Sequence, residues 1–115
     1  MTIATTAGRS GVSVTSASEV DLLSTDTTGI AVPTAYAWTL TVSTNQSITV
    51  RVYVAAGDNV GLALVSGYTS TVTSSAPLVL QQSDYPATRI RVTGQASSTT
   101  ATVSCDFIAS RGSVN

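Results

Sequence analysis

Hydrophobic and polar residues alternate with a period of two along most of the chain, as expected of strands that bury one face. In residues 36–42 (YAWTLTV), Tyr36, Trp38, Leu40 and Val42 fall on one side and Ala37, Thr39 and Thr41 on the other. After STNQ, residues 47–54 resume with Ile48, Val50, Val52 and Val54 inward and Thr49, Arg51 and Tyr53 outward. Two such runs around a short Ser/Asn turn predict an antiparallel hairpin.

The remaining segments follow suit. AAGDN is a turn built on Gly57, Asp58 and Asn59. VGLALV is a more continuous apolar run, and SGYTSTVTSSAP is a polar break with a short strand around residues 69–73. PLVLQQ is a strand, SDYP a turn directed by Pro86, and ATRIRVTG a strand with Ile90 and Val92 opposite Arg89 and Arg91. QASST turns into the last long strand, TATVSCDFIAS, while GVSVT and EVDLLS are weaker strand candidates. No segment carries the i, i+3, i+4 apolar pattern of an amphipathic helix. Seven or eight strands, spaced about every twelve residues, predict one all-β domain over residues 1–115, an antiparallel sandwich of jelly-roll or immunoglobulin-like topology. The ends, at about residues 1–10 and 110–115, are small, polar and weakly patterned, and are expected to be flexible or arm-like.

Composition narrows the chemistry. Charged residues form 10% of the 115 residues, against about 25% in ordinary globular chains. Ser and Thr, about a third of the sequence, take their place. A net charge of −1 argues against a nucleic-acid partner, which needs Lys and Arg to neutralise phosphates. It offers no attraction to an anionic membrane, and no apolar run is long enough to span one. The start, MTIATTAGRSGVS, lacks the basic and apolar regions of a secretory signal, so synthesis in a cytoplasm without secretion is expected.

The chain has no His and no Lys. That removes His-based triads, Ser–Lys dyads, Schiff bases and His-bearing metal sites. With no glycine-rich strand-to-helix loop for phosphate either, neither an enzyme nor a bound cofactor is expected. Cys105, the one cysteine, alternates with Val103 and Phe107 and reads as a small buried hydrophobe. Glu19 and Asp21 share a strand face, with Asp26 nearby. They read as exposed strand carboxylates, a structural calcium site being the alternative. Asp58 and Asp84 sit in turns and Asp106 on the polar face of the last strand. Asn45-Gln46-Ser47 matches the glycosylation pattern but reads as a turn.

A sugar-binding sandwich needs exposed rings. Tyr36 and Trp38 share parity with core residues, Tyr68 and Tyr85 fall in loops, and Tyr53 alone faces outward on a strand. It alternates with Arg51, as Arg89 does with Arg91. Guanidinium offers a planar fork for carboxylates and carbonyls, and Tyr and Arg are enriched at protein contacts. Arg51, Tyr53, Arg89 and Arg91 are therefore candidate interface residues, against the alternative of a solvated outer face. If they form an interface, replacing Arg89 and Arg91 by alanine leaves folding nearly intact and weakens assembly.

The short Ser/Thr/Val-rich all-β chain, the loose ends MTIATTAGRSGVS and SRGSVN, and the run PATRIRVTGQASSTTATVSCDFIAS, which looks like a closing hairpin, resemble the small virion structural proteins of tailed bacteriophages. Head decoration (cement) proteins are the nearest in style. The resemblance implies a virion location and a sandwich that assembles symmetrically, often as a trimer, capping junctions between major capsid subunits. It transfers no site residue. The alternatives are a phage tail or connector component and a carbohydrate-binding module.

Overall fold

A computed structural model describes residues 2–23, 29–35, 37–56, 62–82 and 87–113. Tyr36, Asp26, Gly57, Asp58, Asn59, Asp84, Tyr85 and Pro86 lie outside the described residues, as does the side chain of Tyr68. Nine strands are described: β1 (Thr2–Val14), β2 (Val20–Asp21), β3 (Ile30–Ala35), β4 (Ala37–Thr44), β5 (Ile48–Ala55), β6 (Ala63–Val72), β7 (Leu78–Gln82), β8 (Ala87–Ala96) and β9 (Ala101–Ser113). They form two antiparallel sheets, β1–β9–β4–β7 and β2–β8–β5–β6, with β3 following β2 along the same edge of β8.

The pairing is nested. β5 pairs with β6 at the tip, then β4 with β7, the β2/β3 edge with β8, and β1 with β9. One long ribbon has been folded double and wrapped into two sheets, which is the jelly-roll arrangement. The predicted all-β sandwich is correct, and of its two topologies this is the one adopted.

Inward positions of both sheets meet in a single core. Trp38, Leu40, Val42, Val103, Cys105 and Phe107 line one side; Ile48, Val50, Val52, Ile90 and Val92 line the other. Trp38 and Phe107 lie in tilted contact, with ring centroids 6.1 Å apart. The alternation slips at the end of β5, where Val54 is half-buried and Ala55 buried, and in β8, where Val92, Thr93 and Gly94 are all buried.

Four expectations are corrected. β4 and β5 do not form a hairpin: β4 pairs with β9 and β7, and β5 with β8 and β6. Residues 45–47 carry the chain from one sheet to the other. The same holds for β8 and β9, so PATRIRVTGQASSTTATVSCDFIAS is no closing hairpin either. These corners stack side by side: Thr102 N donates to Asn45 Oδ1 (2.8 Å), Ser97 N to Ser47 O (3.1 Å) and Ala96 N to Thr15 O (2.9 Å). Each satisfies backbone groups that no ladder reaches.

Second, the ends are not loose along their described length, because β1 pairs with β9 from Thr2↔Ser113 to Val14↔Ala101. A bulge between Arg9 and Val12 is absorbed by Gly11, whose φ of 66° suits glycine. Third, SGYTST is no break, since β6 runs through it with a register shift. Fourth, β3 is a strand that the alternation did not reveal.

Candidate functional site

The outer face of the β2/β3–β8–β5–β6 sheet gathers all four candidate interface residues. Tyr53 stands directly opposite Arg91, Arg51 opposite Thr93, and Ala55 opposite Arg89. Each of the four is half-buried rather than free in solvent. For Arg51, Tyr53 and Arg91 the reason is the chain entering β2, which lays Glu19 and Asp21 across them.

Glu19 is the hub. Its Oε1 accepts hydrogen bonds from Tyr53 Oη (2.6 Å) and Thr93 Oγ1 (2.6 Å), and Arg51 Nη1 stands 3.6 Å away. Asp21 takes Arg91 in a fork, Nε to Oδ1 at 2.6 Å and Nη2 to Oδ2 at 3.3 Å. Arg91 also lies over the Tyr53 ring, 5.5 Å from its centroid. Beneath these groups Thr93, on an outward position, is 0% exposed. A small polar core has been built on the outside of the sheet. Glu19 and Asp21 are therefore not exposed strand carboxylates, and their oxygens are held by arginine and hydroxyl donors.

The other described arginines serve the same edge. Arg89 Nη2 donates to Gly29 O (2.7 Å) and Arg9 Nη1, from the opposite sheet, to Asp21 O (2.8 Å). Gly29 has a φ of 80°, and a Cβ there would lie 2.6 Å from Ile90 O, so the approach to β3 is reserved for glycine. All four described arginines thus fasten Glu19, Asp21 and Gly29 onto the body of the sandwich. At Arg91 the planar fork meets both Asp21 oxygens, which a lysine ammonium would not do in the same geometry.

Charges follow the geometry. Burial pulls the Glu19 carboxyl upward, but the hydrogen bonds from Thr93 and Tyr53, with Arg51 and Arg91 nearby, outweigh it and leave it below the ordinary glutamate range. The Tyr53 hydroxyl is raised by burial and by donating to Glu19, and Arg91 is raised by its bond to Asp21. A carboxyl depressed in the folded state stabilises the fold fully above its unfolded pKa, and that contribution disappears as pH falls through the folded value. Acid unfolding followed by circular dichroism is thus expected to show stability falling below about pH 4.5, with a shallower fall in Glu19→Gln. An unchanged acid slope in that variant would contradict the hub.

Cys105 is buried in the core, as expected, and burial with the nearby Asp106 charge pushes its thiol up to about 12. Trp38 also lies in the core, 2% exposed.

The opposite outer face, on β1–β9–β4–β7, has the properties of a contact surface that parity alone did not single out. Two rows cross all four strands in register: Thr6, Ile108, Thr39 and Gln81, then Gly8, Asp106, Thr41 and Val79. Val79 is 63% and Ile108 48% exposed, the two large exposed hydrophobics among the described residues. Their signal in the sequence was an apolar residue at an outward position, within LVL and FIA.

Comparison with protein-family models, curated proteins and solved structures finds no match for this chain.

Proposed function

We propose that the chain is a non-enzymatic virion structural protein of the capsid-decoration type, docking on a capsid through the outer face of the β1–β9–β4–β7 sheet. The observation that carries this reading is that face, where Val79 and Ile108 stand among Thr, Ser, Gly and Gln with Asp106 as the sole described charge. Cores of protein contacts are likewise depleted in charge. The virion assignment itself rests on the likeness in composition and strand pattern to phage decoration proteins. A jelly roll is found in viral capsid and lectin domains alike, so the fold by itself does not choose between them.

Size favours symmetric copies acting together. Four strands about 4.8 Å apart, over ten residues rising about 3.3 Å each, give a face on the order of 600 Å². That is below the roughly 800 Å² one partner contributes to a standard interface, and linked copies, as in a trimer, gain the missing affinity by avidity.

The carbohydrate-binding alternative loses its best ring, because Tyr53 lies under Arg91 and its hydroxyl is committed to Glu19. The arginine quartet is also occupied within the chain, so the docking face is assigned to the other sheet. Purified protein mixed with undecorated capsids is expected to co-sediment with them and to raise their heat resistance. Rings or stacks formed without capsids would instead favour a tail component, and the absence of both binding and self-assembly would defeat the reading.

A further inference from the structure

The two outer faces handle charge in opposite ways. On the β2/β3–β8–β5–β6 face, Glu19 and Asp21 are each met by arginine. On the other face Asp106 is exposed and, among the described residues, takes part in no salt bridge or side-chain hydrogen bond. No cation of the chain's own is spare for it among the described arginines, since Arg9, Arg51, Arg89 and Arg91 all point their guanidinium groups into the opposite network.

The surroundings of Asp106 are shaped around it. Its direct neighbour on β1 is Gly8, where an added Cβ would lie 2.8 Å from Asp106 Oδ1 and 2.8 Å from Cys105 O. Only glycine lets the carboxylate lie back over the edge strand. The carboxylate then stands between two open hollows. One, about 550 Å³, is lined by Thr6, Ala7, Gly8, Arg9, Ser10 and Ser104, the Arg9 guanidinium being committed to Asp21 O; the other, about 300 Å³, by Thr39, Thr41, Phe107 and Ile108. Hydroxyls on both sides can accept further hydrogen bonds, and Ile108 offers apolar surface for an aliphatic stem.

We propose that Asp106 receives a basic side chain, lysine or arginine, projected by the protein on which this face docks. The proposal rests on the docking reading above and names the chemistry of its partner. A metal ion fits poorly, because one carboxylate and scattered hydroxyls fall short of the six to eight oxygen ligands of calcium. A second copy stacked face to face also fits poorly, since a two-fold axis through the face would bring Asp106 toward its own image. A cationic side chain meets the charge, fills a hollow and lays its stem along the apolar row.

The test uses the full chain with undecorated capsids and the variants Asp106→Asn, Asp106→Arg and Ser98→Arg. Ser98 lies exposed in the corner between β8 and β9, so its variant changes net charge as much as Asp106→Asn does, away from the face. Loss of a charge pair desolvated between apposed proteins is expected to weaken binding about tenfold or more in Asp106→Asn. Asp106→Arg is expected to abolish it and Ser98→Arg to leave it unchanged. Wild-type affinity in Asp106→Asn, or an equal loss in Ser98→Arg, overturns the proposal.

A second measurement separates the two readings should wild-type protein ignore capsids. In NMR titrations with N-acetyl-arginine amide and its uncharged citrulline counterpart, amide shifts at Gly8, Ser104 and Asp106 are expected for arginine, not citrulline, and are lost in Asp106→Asn. Equal shifts with both probes, or none, sink the basic-side-chain proposal whatever the capsid result.

Discussion

Truncating Leu22 to alanine is expected to cost about 3 kcal/mol of folding stability, as much as a deletion in the middle of a long strand. This holds even though Leu22 directly follows β2, a strand of two residues. Leu22 is 0% exposed and its backbone N–H donates to Val92 O (2.9 Å), continuing the ladder. The space it fills is made by Gly94: a Cβ there would meet Leu22 Cδ1 at 3.3 Å, Leu22 Cδ2 at 3.4 Å and Ile48 Cδ1 at 3.6 Å. Leu22 therefore plugs a gap left by a missing side chain on β8. Guanidinium unfolding is the measurement, and a loss below about 1 kcal/mol would show that the site collapses around the smaller residue. A companion variant checks the geometry. Gly94→Ala is expected to be destabilising alone but milder alongside Leu22→Ala, with a coupling of about 0.5–1 kcal/mol.

Arg91→Ala is expected to cost about 2 kcal/mol, chiefly by leaving the Asp21 carboxylate without its cation in a largely enclosed position. The side chains of Arg91 and Asp21 are only 23% and 11% exposed, so solvent replaces the lost fork poorly. Arg91→Lys is expected to recover part of the loss, because ammonium restores the charge but not the two parallel donors. A double-mutant cycle with Asp21→Asn measures the pair directly, and hydrogen exchange at the Leu22 amide is expected to accelerate as β2 comes free. The expectation attached to the Arg89 and Arg91 double replacement changes accordingly. Arg91 holds Asp21 and Arg89 holds Gly29 O, so that variant is expected to lose stability rather than keep it. If it folds as well as wild type, the clamp is not needed.

Much of the architecture was legible in the alternation. Trp38, Leu40, Val42, Ile48, Val50, Val52, Ile90, Val92, Val103, Cys105 and Phe107 all lie in the core where their parity put them. The outward parity of Arg51, Tyr53, Arg89 and Arg91 was equally plain, yet what those residues do was not. Thr93 shows why. Nothing in TRIRVTG marks a threonine on an outward position as fully enclosed, because Glu19, which covers it, is 74 residues away in sequence. The docking face was half legible: Val79 and Ile108 broke the pattern, but only the register across four strands set them beside Asp106 and Gly8.

The sequence by itself determined that the chain is all-β, which side of most strands faces inward, and that His- and Lys-dependent chemistry is closed to it. Those properties are local, set by side-chain identity and the period of the strand. Tertiary structure alone decided which strands are neighbours. Alternation requires β4 and β5 to turn their apolar sides to a core, and that is equally satisfied by a hairpin or by a corner between two facing sheets. Burial energy depends on the area removed from water, not on which backbone supplies the adjoining hydrogen bonds. The choice fell to contacts distant in sequence, such as Asn45 with Thr102, and among the described residues it separated one face with its charges locked together from another with a single carboxylate unanswered.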